Sequence, residues 1–413
     1  MSIPLLDLNR QYDSIKGEIK KAIDEVMESQ YFIMGDEVKE FEDEVGAYCQ
    51  VNYAFGCASG SDALLLALMA IDLQPGDYVL TSPFTFFATA GAISRIGGIP
   101  VFLDIETDSY NLDPEQVRSF MEGEHPVYKK LNPDREKIKA IIPVHLYGQM
   151  ADMDPIIEVA KEYDLTVIED AAQAIGSEYK GQRAGSMGDF GCFSFFPSKN
   201  LGAFGDAGLV TVKDQKLAEK LDILRLHGAK PKYHHSLVGI NSRLDTIQAA
   251  VLSVKLKYLD AWSERRRAIA HRYNRLFEDE GVSGELEGCS ESCVEMGGSG
   301  CSLNPNKIIT PKETTGSGDN NGRHIYHQYT IRSKKRDQIA KALSEHNIGH
   351  SVYYPVSLHE QECFAYLGYQ PQDCPASHCA TKQAISIPIF PELRDEEIER
   401  VVEVVSKAVK GNS

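Results

Sequence analysis

Apolar residues recur along this chain in two rhythms, a helical spacing and short unbroken runs, and the two take turns. Over residues 13–29 they fall at Ile15, Ile19, Ile23 and Val26, one face of a helix. The aromatic loop Tyr31-Phe32-Ile33-Met34-Gly35 interrupts that pattern, and Val38–Tyr48 resumes it. Ala54–Ala58, Tyr78–Thr81, Pro100–Leu103, Ala140–Val144 and Leu165–Glu169 read as short buried strands. Helical patterns separate them, from Ser61 to Leu73, from Leu112, and over Asp154–Tyr163. Strands alternating with helices make βαβ units with right-handed crossovers, so the fold class is α/β with a mostly parallel sheet. Two further runs, Cys192–Phe196 and Leu209–Val212, are expected to form a hairpin around the segment between them. A helix over Ala218–Leu226 follows.

A helical tract over residues 245–278 leads into a region with a different order. His327–Ile331 alternates as a strand, Lys335–His346 is helical, Ser351–Tyr354 reads as a strand, and Asp395–Val409 is a closing amphipathic helix. The 413 residues exceed what one core usually holds. A large α/β domain over 1–262 and a small α+β domain over 263–413 are therefore expected. Residues 281–322 break both rhythms with glycine and serine and no aromatic side chain. They read as a loop-like surface insertion with no catalytic part. Cys289, Cys293 and Cys301 within it have no histidine nearby before His324, so no metal is expected.

Composition narrows the classes. A net charge of −17 argues against nucleic acid as a partner, though a few local arginines can still serve an anionic small molecule. No apolar run approaches the roughly 20 residues a bilayer span needs, and MSIPLLDLNRQYDSIK has no long apolar core of a signal peptide. Nine scattered cysteines, several in apolar surroundings, suit a reducing interior. A cytoplasmic protein without a membrane partner is the expectation.

The candidate chemistry lies between Leu165 and Gly208. One apolar strand stops at Asp170, and a second is followed by Pro197, Ser198 and Lys199. Open α/β sheets place ligands at such carboxyl ends of strands. A lysine beside a carbonyl compound forms a Schiff base, and an aspartate holds a pyridine nitrogen protonated, which makes the ring an electron sink. Ser59-Gly60-Ser61 opens a helix and offers amides, hydroxyls and a positive dipole end to a phosphate, or else a plain helix cap. His145, at a strand end, either touches substrate or bonds to backbone. The loop from His227 to His235 is the densest basic cluster, suited to a diphosphate or to solvent. Gly185, Gly188 and Gly191 imitate a dinucleotide fingerprint, but they precede a strand where the fingerprint follows one.

EDAAQA at 169–174, SFFPSKNLGAFGDAG at 194–208 and GINSRLDTIQAA at 239–250 resemble the signatures of the DegT/StrS-type sugar-nucleotide aminotransferases. The likeness runs from about Ile3 to about Val409 apart from the insertion. It implies the aspartate aminotransferase fold (fold type I) and pyridoxal 5'-phosphate as cofactor. By resemblance, Lys199 and Asp170 are the catalytic pair. Phe86 stacks on the cofactor ring, Gln173 contacts the ring or its phenolic oxygen, and Ser194 joins Ser59, Gly60 and Ser61 at the phosphate. Asn241 reaches the phosphate of the partner subunit, and Arg243 the acidic group of the partner's substrate, so the resemblance implies a homodimer with shared active sites. Tyr31 and Phe32 approach the substrate, and Tyr353-Tyr354-Pro355 stands where many relatives have His-Tyr-Pro.

The family reaction moves an amino group from L-glutamate to a keto-sugar nucleotide. FPSKNLG, YHHSLVGINSRLDT, CASGSDALLLALMA and PVHLYGQMADMDPI look closest to the subgroup acting on UDP-2-acetamido-2-deoxy-3-oxo-glucuronate for surface polysaccharide, lipopolysaccharide O-antigen included. A dTDP-3-keto-6-deoxyhexose aminotransferase is the alternative, and a non-catalytic pyridoxal-phosphate-binding regulator another. Sugar dehydratases on the same scaffold replace the lysine with histidine, and Lys199 argues against that reading.

Overall fold

In an extended strand successive side chains face opposite ways. The computed structural model, which describes residues 2–286, 303–314 and 322–411, shows this in a seven-stranded sheet. In chain order the strands are β1 (Tyr53–Cys57), β2 (Tyr78–Thr81), β3 (Ile99–Phe102), β4 (Ile138–Ile142) and β5 (Thr166–Asp170). A small hairpin of β6 (Glu178–Tyr179) and β7 (Gln182–Arg183) precedes β8 (Phe190–Ser194) and β9 (Gly208–Val212). The order across the sheet is β1-β9-β8-β5-β4-β2-β3. β3, β2, β4, β5 and β8 run parallel, and β9 inserts antiparallel between β8 and β1.

Leu80, Val101, Ile141, Val167 and Leu209 enter one apolar core, while Val79, Ala140, Ile142, Ile168 and Val210 enter the other. Covering on both faces is what a parallel sheet requires, and it explains why its strands read as unbroken apolar runs. Helices α1 (Leu8–Ser29), α2 (Asp36–Tyr48) and α3 (Gly60–Ala70) lie where the helical spacing predicts. Asp7 caps α1 by accepting from the N–H groups of Asn9 and Arg10.

The tract over 245–278 is two helices, Thr246–Leu256 and Leu259–Asp279. The second begins in the large core at Leu259 and ends in a separate core with Ile269, Tyr273 and Phe277. That core lies on the antiparallel pair β10 (Tyr329–Arg332) and β11 (Ala384–Ile387), covered by helices Arg336–Glu345 and Asp395–Lys410. Ile3 packs into it from the other end of the chain.

Two expectations need correction. Ser351–Tyr354 is not a strand: Ser351 alone bridges to Ser386, and the Tyr353 carbonyl accepts from the Tyr147 hydroxyl instead of a strand neighbour. Part of the expected surface insertion is packed. Leu303, Ile308 and Ile309 are buried, Ile308 bridges to Ser283 and Ile309 to Arg332, because this short apolar run extends the small sheet. Cys289, Cys293 and Cys301 lie outside the described residues. Among the described residues no helix is long and apolar enough to cross a membrane.

Candidate active site

Adjacent carboxylates end β5, and strand alternation sends them to opposite sides of the sheet. Asp170 is buried with its Oδ2 2.7 Å from the Thr89 hydroxyl and its Oδ1 accepting from the Ala172 N–H at 3.2 Å. Burial pushes its carboxyl above the ordinary value, against the pull of Thr89, Ala172 and the charge of Lys199. Lys199 stands in the loop that carries the chain from β8 to β9, its own N–H donating to the Phe196 carbonyl at 2.8 Å. The Lys255 ammonium holds that loop from behind, donating to the Gly202 carbonyl at 2.5 Å. Burial lowers the Lys199 amine to about 8, with Asp170 opposing. An amine at that value is a far better base and nucleophile near neutrality than an ordinary lysine.

Ser59 caps α3, its Oγ accepting from the Asp62 N–H at 3.1 Å. The amides of Gly60 and Ser61 lie in the first turn, where a helix has no internal acceptors. A Cβ at Gly60 would meet that of Ser194 at 2.6 Å, and a Cβ at Gly208 would meet the Ser59 carbonyl oxygen at 2.4 Å. Glycine at both positions lets the ends of β8 and β9 close on the helix start. Ser59, Gly60, Ser61 and Ser194 thus lie together at a positive dipole end, a place that suits an anion. Phe86 leaves 59% of its surface exposed, its ring 6.4 Å from that of Tyr354. The Tyr354 hydroxyl accepts from Gln173 Nε2 at 3.1 Å, and Gln173 Oε1 accepts from the Tyr147 N–H at 2.8 Å.

Residues 13–293 and 304–406 match the DegT/DnrJ/EryC1/StrS aminotransferase family. The chain belongs to that family. It is 46% identical over 407 residues, 98% of either chain, to a protein of Geobacillus stearothermophilus named a pleiotropic regulatory protein. It is 38% identical to the UDP-N-acetyl-3-dehydro-α-D-glucosamine 3-aminotransferase of Acidithiobacillus ferrooxidans, with 99% of each chain covered. Identity to the UDP-2-acetamido-2-deoxy-3-oxo-D-glucuronate aminotransferase of Pseudomonas aeruginosa is 34%, over 96% of this chain and 98% of that one. A solved aminotransferase of the family from Brucella abortus superposes with a TM-score of 0.85 at 33% identity, covering 98% of both chains.

The donor set of this aminotransferase fits pyridoxal phosphate. The seat at α3 suits its phosphate, and Asp170 has carboxylate lone pairs left after its two hydrogen bonds, free for a ring N–H. Lys199 would supply the amine for the aldehyde.

The structure brings Lys199, Asp170, Phe86, Gln173 and Tyr354 to this site, with Tyr353 engaged through its backbone. His145 is a correction. Its ring is fully buried, Nε2 bonding Glu169 at 2.9 Å and Nδ1 accepting from the Ala151 N–H at 3.2 Å, so neither nitrogen is free for substrate. Tyr31, Phe32, Asn241 and Arg243 make a second group on the surface. Phe32 accepts from the Thr246 N–H at 3.1 Å, while Asn241 and Arg243 line an open pocket of about 340 Å³ with Ala58, Asp206, Asp245 and Gln248.

Sequence reasoning passed over Thr89 and His327. Thr89 stands one helical turn beyond Phe86 in a run of small residues, and a hydroxyl there was the available signal. His327 is buried with Nδ1 3.0 Å from Asn200 Oδ1, and burial and then the charge of Lys199 push it well below its ordinary value.

Proposed function

We propose that this aminotransferase carries nitrogen from L-glutamate to the 3-keto group of UDP-2-acetamido-2-deoxy-3-oxo-glucuronate, supplying a 3-amino sugar for surface polysaccharide. The chain is a pyridoxal-phosphate enzyme acting on a nucleotide sugar and an amino donor. One observation carries the reading: Lys199, in the loop after β8, acts electrostatically on the buried Asp170 at the end of the neighbouring β5, beside the start of α3. Bound pyridoxal phosphate supplies an electron sink for the carbon that gives or receives nitrogen. Lys199 Nζ would take the proton from the α-carbon of the amino donor and give it back on the same face during the exchange. Asp170 keeps its carboxylate against the ring nitrogen, and Thr89 orients that carboxylate. Gly60, Ser61 and Ser194 hold the phosphate, Phe86 packs on the ring, and Gln173, fixed by Tyr147 and Tyr354, faces the ring edge.

Residues 1–262 form the cofactor-binding domain and 263–413 its cap. Two copies share their sites: Asn241 and Arg243, by the family resemblance of their motif, serve the partner. The planar fork of Arg243 suits the sugar carboxylate, and Tyr31 and Phe32 flank it. The Pseudomonas aeruginosa relative names such a sugar, while the Acidithiobacillus ferrooxidans relative names one without the carboxylate. The test is to offer the amine-loaded enzyme UDP-linked 3-keto sugars with and without that carboxylate, and a dTDP-3-keto-6-deoxyhexose. The carboxylate sugar should react fastest, and Arg243→Met should erase its advantage. Equal rates for all, or preference for the dTDP sugar, reject the assignment.

The name of the Geobacillus stearothermophilus relative favours a second reading, a cofactor-binding regulator. A purified chain that holds pyridoxal phosphate yet aminates no nucleotide sugar would support it.

A further inference from the structure

The glycine run at 185–191 and the buried His145 find their use on the far side of β5 from Asp170. Glu169 is fully buried there and has four donors. Its Oε2 accepts from the Gly185 N–H at 2.8 Å and lies 2.9 Å from His145 Nε2. Its Oε1 accepts from the N–H groups of Met187 and Gly188, both at 2.7 Å. Gly185 makes the wrap possible, since its φ is +82° and a Cβ would strike the Phe193 ring at 2.4 Å. A buried carboxylate with every oxygen doubly bonded to donors stays charged and fixed in place.

What Glu169 holds reaches the site by two routes. His145 donates its own backbone N–H to the Asp170 carbonyl at 3.0 Å, and the Asp170 N–H donates to Pro143 at 2.9 Å, so the histidine and the strand end are locked together. The segment after His145 carries Tyr147, whose N–H fixes Gln173 and whose hydroxyl bonds the Tyr353 carbonyl. The His145–Glu169 bond thus joins the buried carboxylate to both the strand end and that segment.

We infer that Glu169 and His145 are positioning residues that set the Asp170 carboxylate and the Gln173 amide against the cofactor ring. This rests on the pyridoxal-phosphate reading above. Glu169→Gln puts an amide group among N–H donors, and His145→Leu removes the bond to Glu169. His145→Gln keeps a donor at the place of Nε2. The side chains of Glu169 and His145 are engaged with each other and with backbone amides, so both act through Asp170 and Gln173.

The test uses full-length holoenzyme reconstituted with pyridoxal phosphate labelled with ¹⁵N in its ring. The readouts are the ring-nitrogen chemical shift, the cofactor dissociation constant and the thermal midpoint. In Glu169→Gln and His145→Leu the nitrogen signal should move toward the unprotonated position, and cofactor affinity should fall roughly tenfold, as for other supporting residues one step from a bound group. His145→Gln should recover most of both. Should Glu169→Gln fail to fold, the two His145 variants decide. A lowered thermal midpoint with unchanged nitrogen signal and affinity makes the pair merely structural and overturns the inference. Wild-type protein that binds no pyridoxal phosphate would instead overturn the underlying reading.

Discussion

Glu169 and Asp170 are neighbours on one strand, both buried, both carboxylates, and their surroundings differ. Four donors surround Glu169, whereas Asp170 has Thr89 and Ala172. Burial raises both groups. The bonds from His145 and the glycine turn outweigh it for Glu169 and bring that carboxyl below its ordinary value. Those at Asp170 do not, and its carboxyl stays above. A saturated carboxylate is part of the fabric, while an unsaturated one beside an amine and an anion seat is built for a ligand still to come.

The sharpest way to break the comparison is at the amine. Lys199→Ala should lower amino transfer by roughly a thousandfold in steady-state assays, because the amine that carries the proton is gone. Asp170→Asn should follow, losing roughly a hundredfold as the ring nitrogen loses its anion. Glu169→Gln should show its largest direct effect on stability, about 1–3 kcal/mol in denaturant unfolding, from N–H donors left without an acceptor. If Asp170→Asn cost as much stability as Glu169→Gln, the contrast between the two would collapse. Thr89→Val, which removes one of the bonds at Asp170, should slow turnover only about fivefold, equivalent to ~1 kcal/mol.

The smallest effect is in pH. Burial takes the Lys199 amine from 10.5 down to about 8. Its folded value lies below its unfolded one, so protonation opposes folding. This group's penalty is complete below about pH 8 and fades as pH rises toward 10.5, where the unfolded chain also gives up its proton. Capture of pyridoxal phosphate by cofactor-free protein should accelerate through an inflection near 8, followed by stopped-flow absorbance, and not near 10.5.

The α/β fold was legible because a parallel sheet buried on both faces writes unbroken apolar runs separated by helical spacing. Asp170 and Lys199 were legible because each follows such a run at a strand end, inside long motifs. Glu169 was not, since three of its donors are backbone amides that leave no side-chain pattern, and the fourth lies 24 residues upstream. The same gap misled the reading of His145: a histidine at a strand end looks the same whether it meets substrate or a hidden carboxylate. In the insertion, glycine-rich flanks outweighed Leu303, Ile308 and Ile309, which are few enough to pass as a loop; yet Ile308 enters the small core, and Leu303 and Ile309 pack with Cys379. For Asn241 and Arg243, only their motif spoke for a shared site.

The central claim is tested most directly by the absorbance spectrum of purified protein before and after L-glutamate, with Lys199→Ala alongside. The wild type should be yellow and bleach on adding glutamate, and Lys199→Ala should do neither in the same time. A colourless wild type reconstituted with pyridoxal phosphate, or a yellow one that glutamate leaves unchanged, would contradict amino transfer by this site.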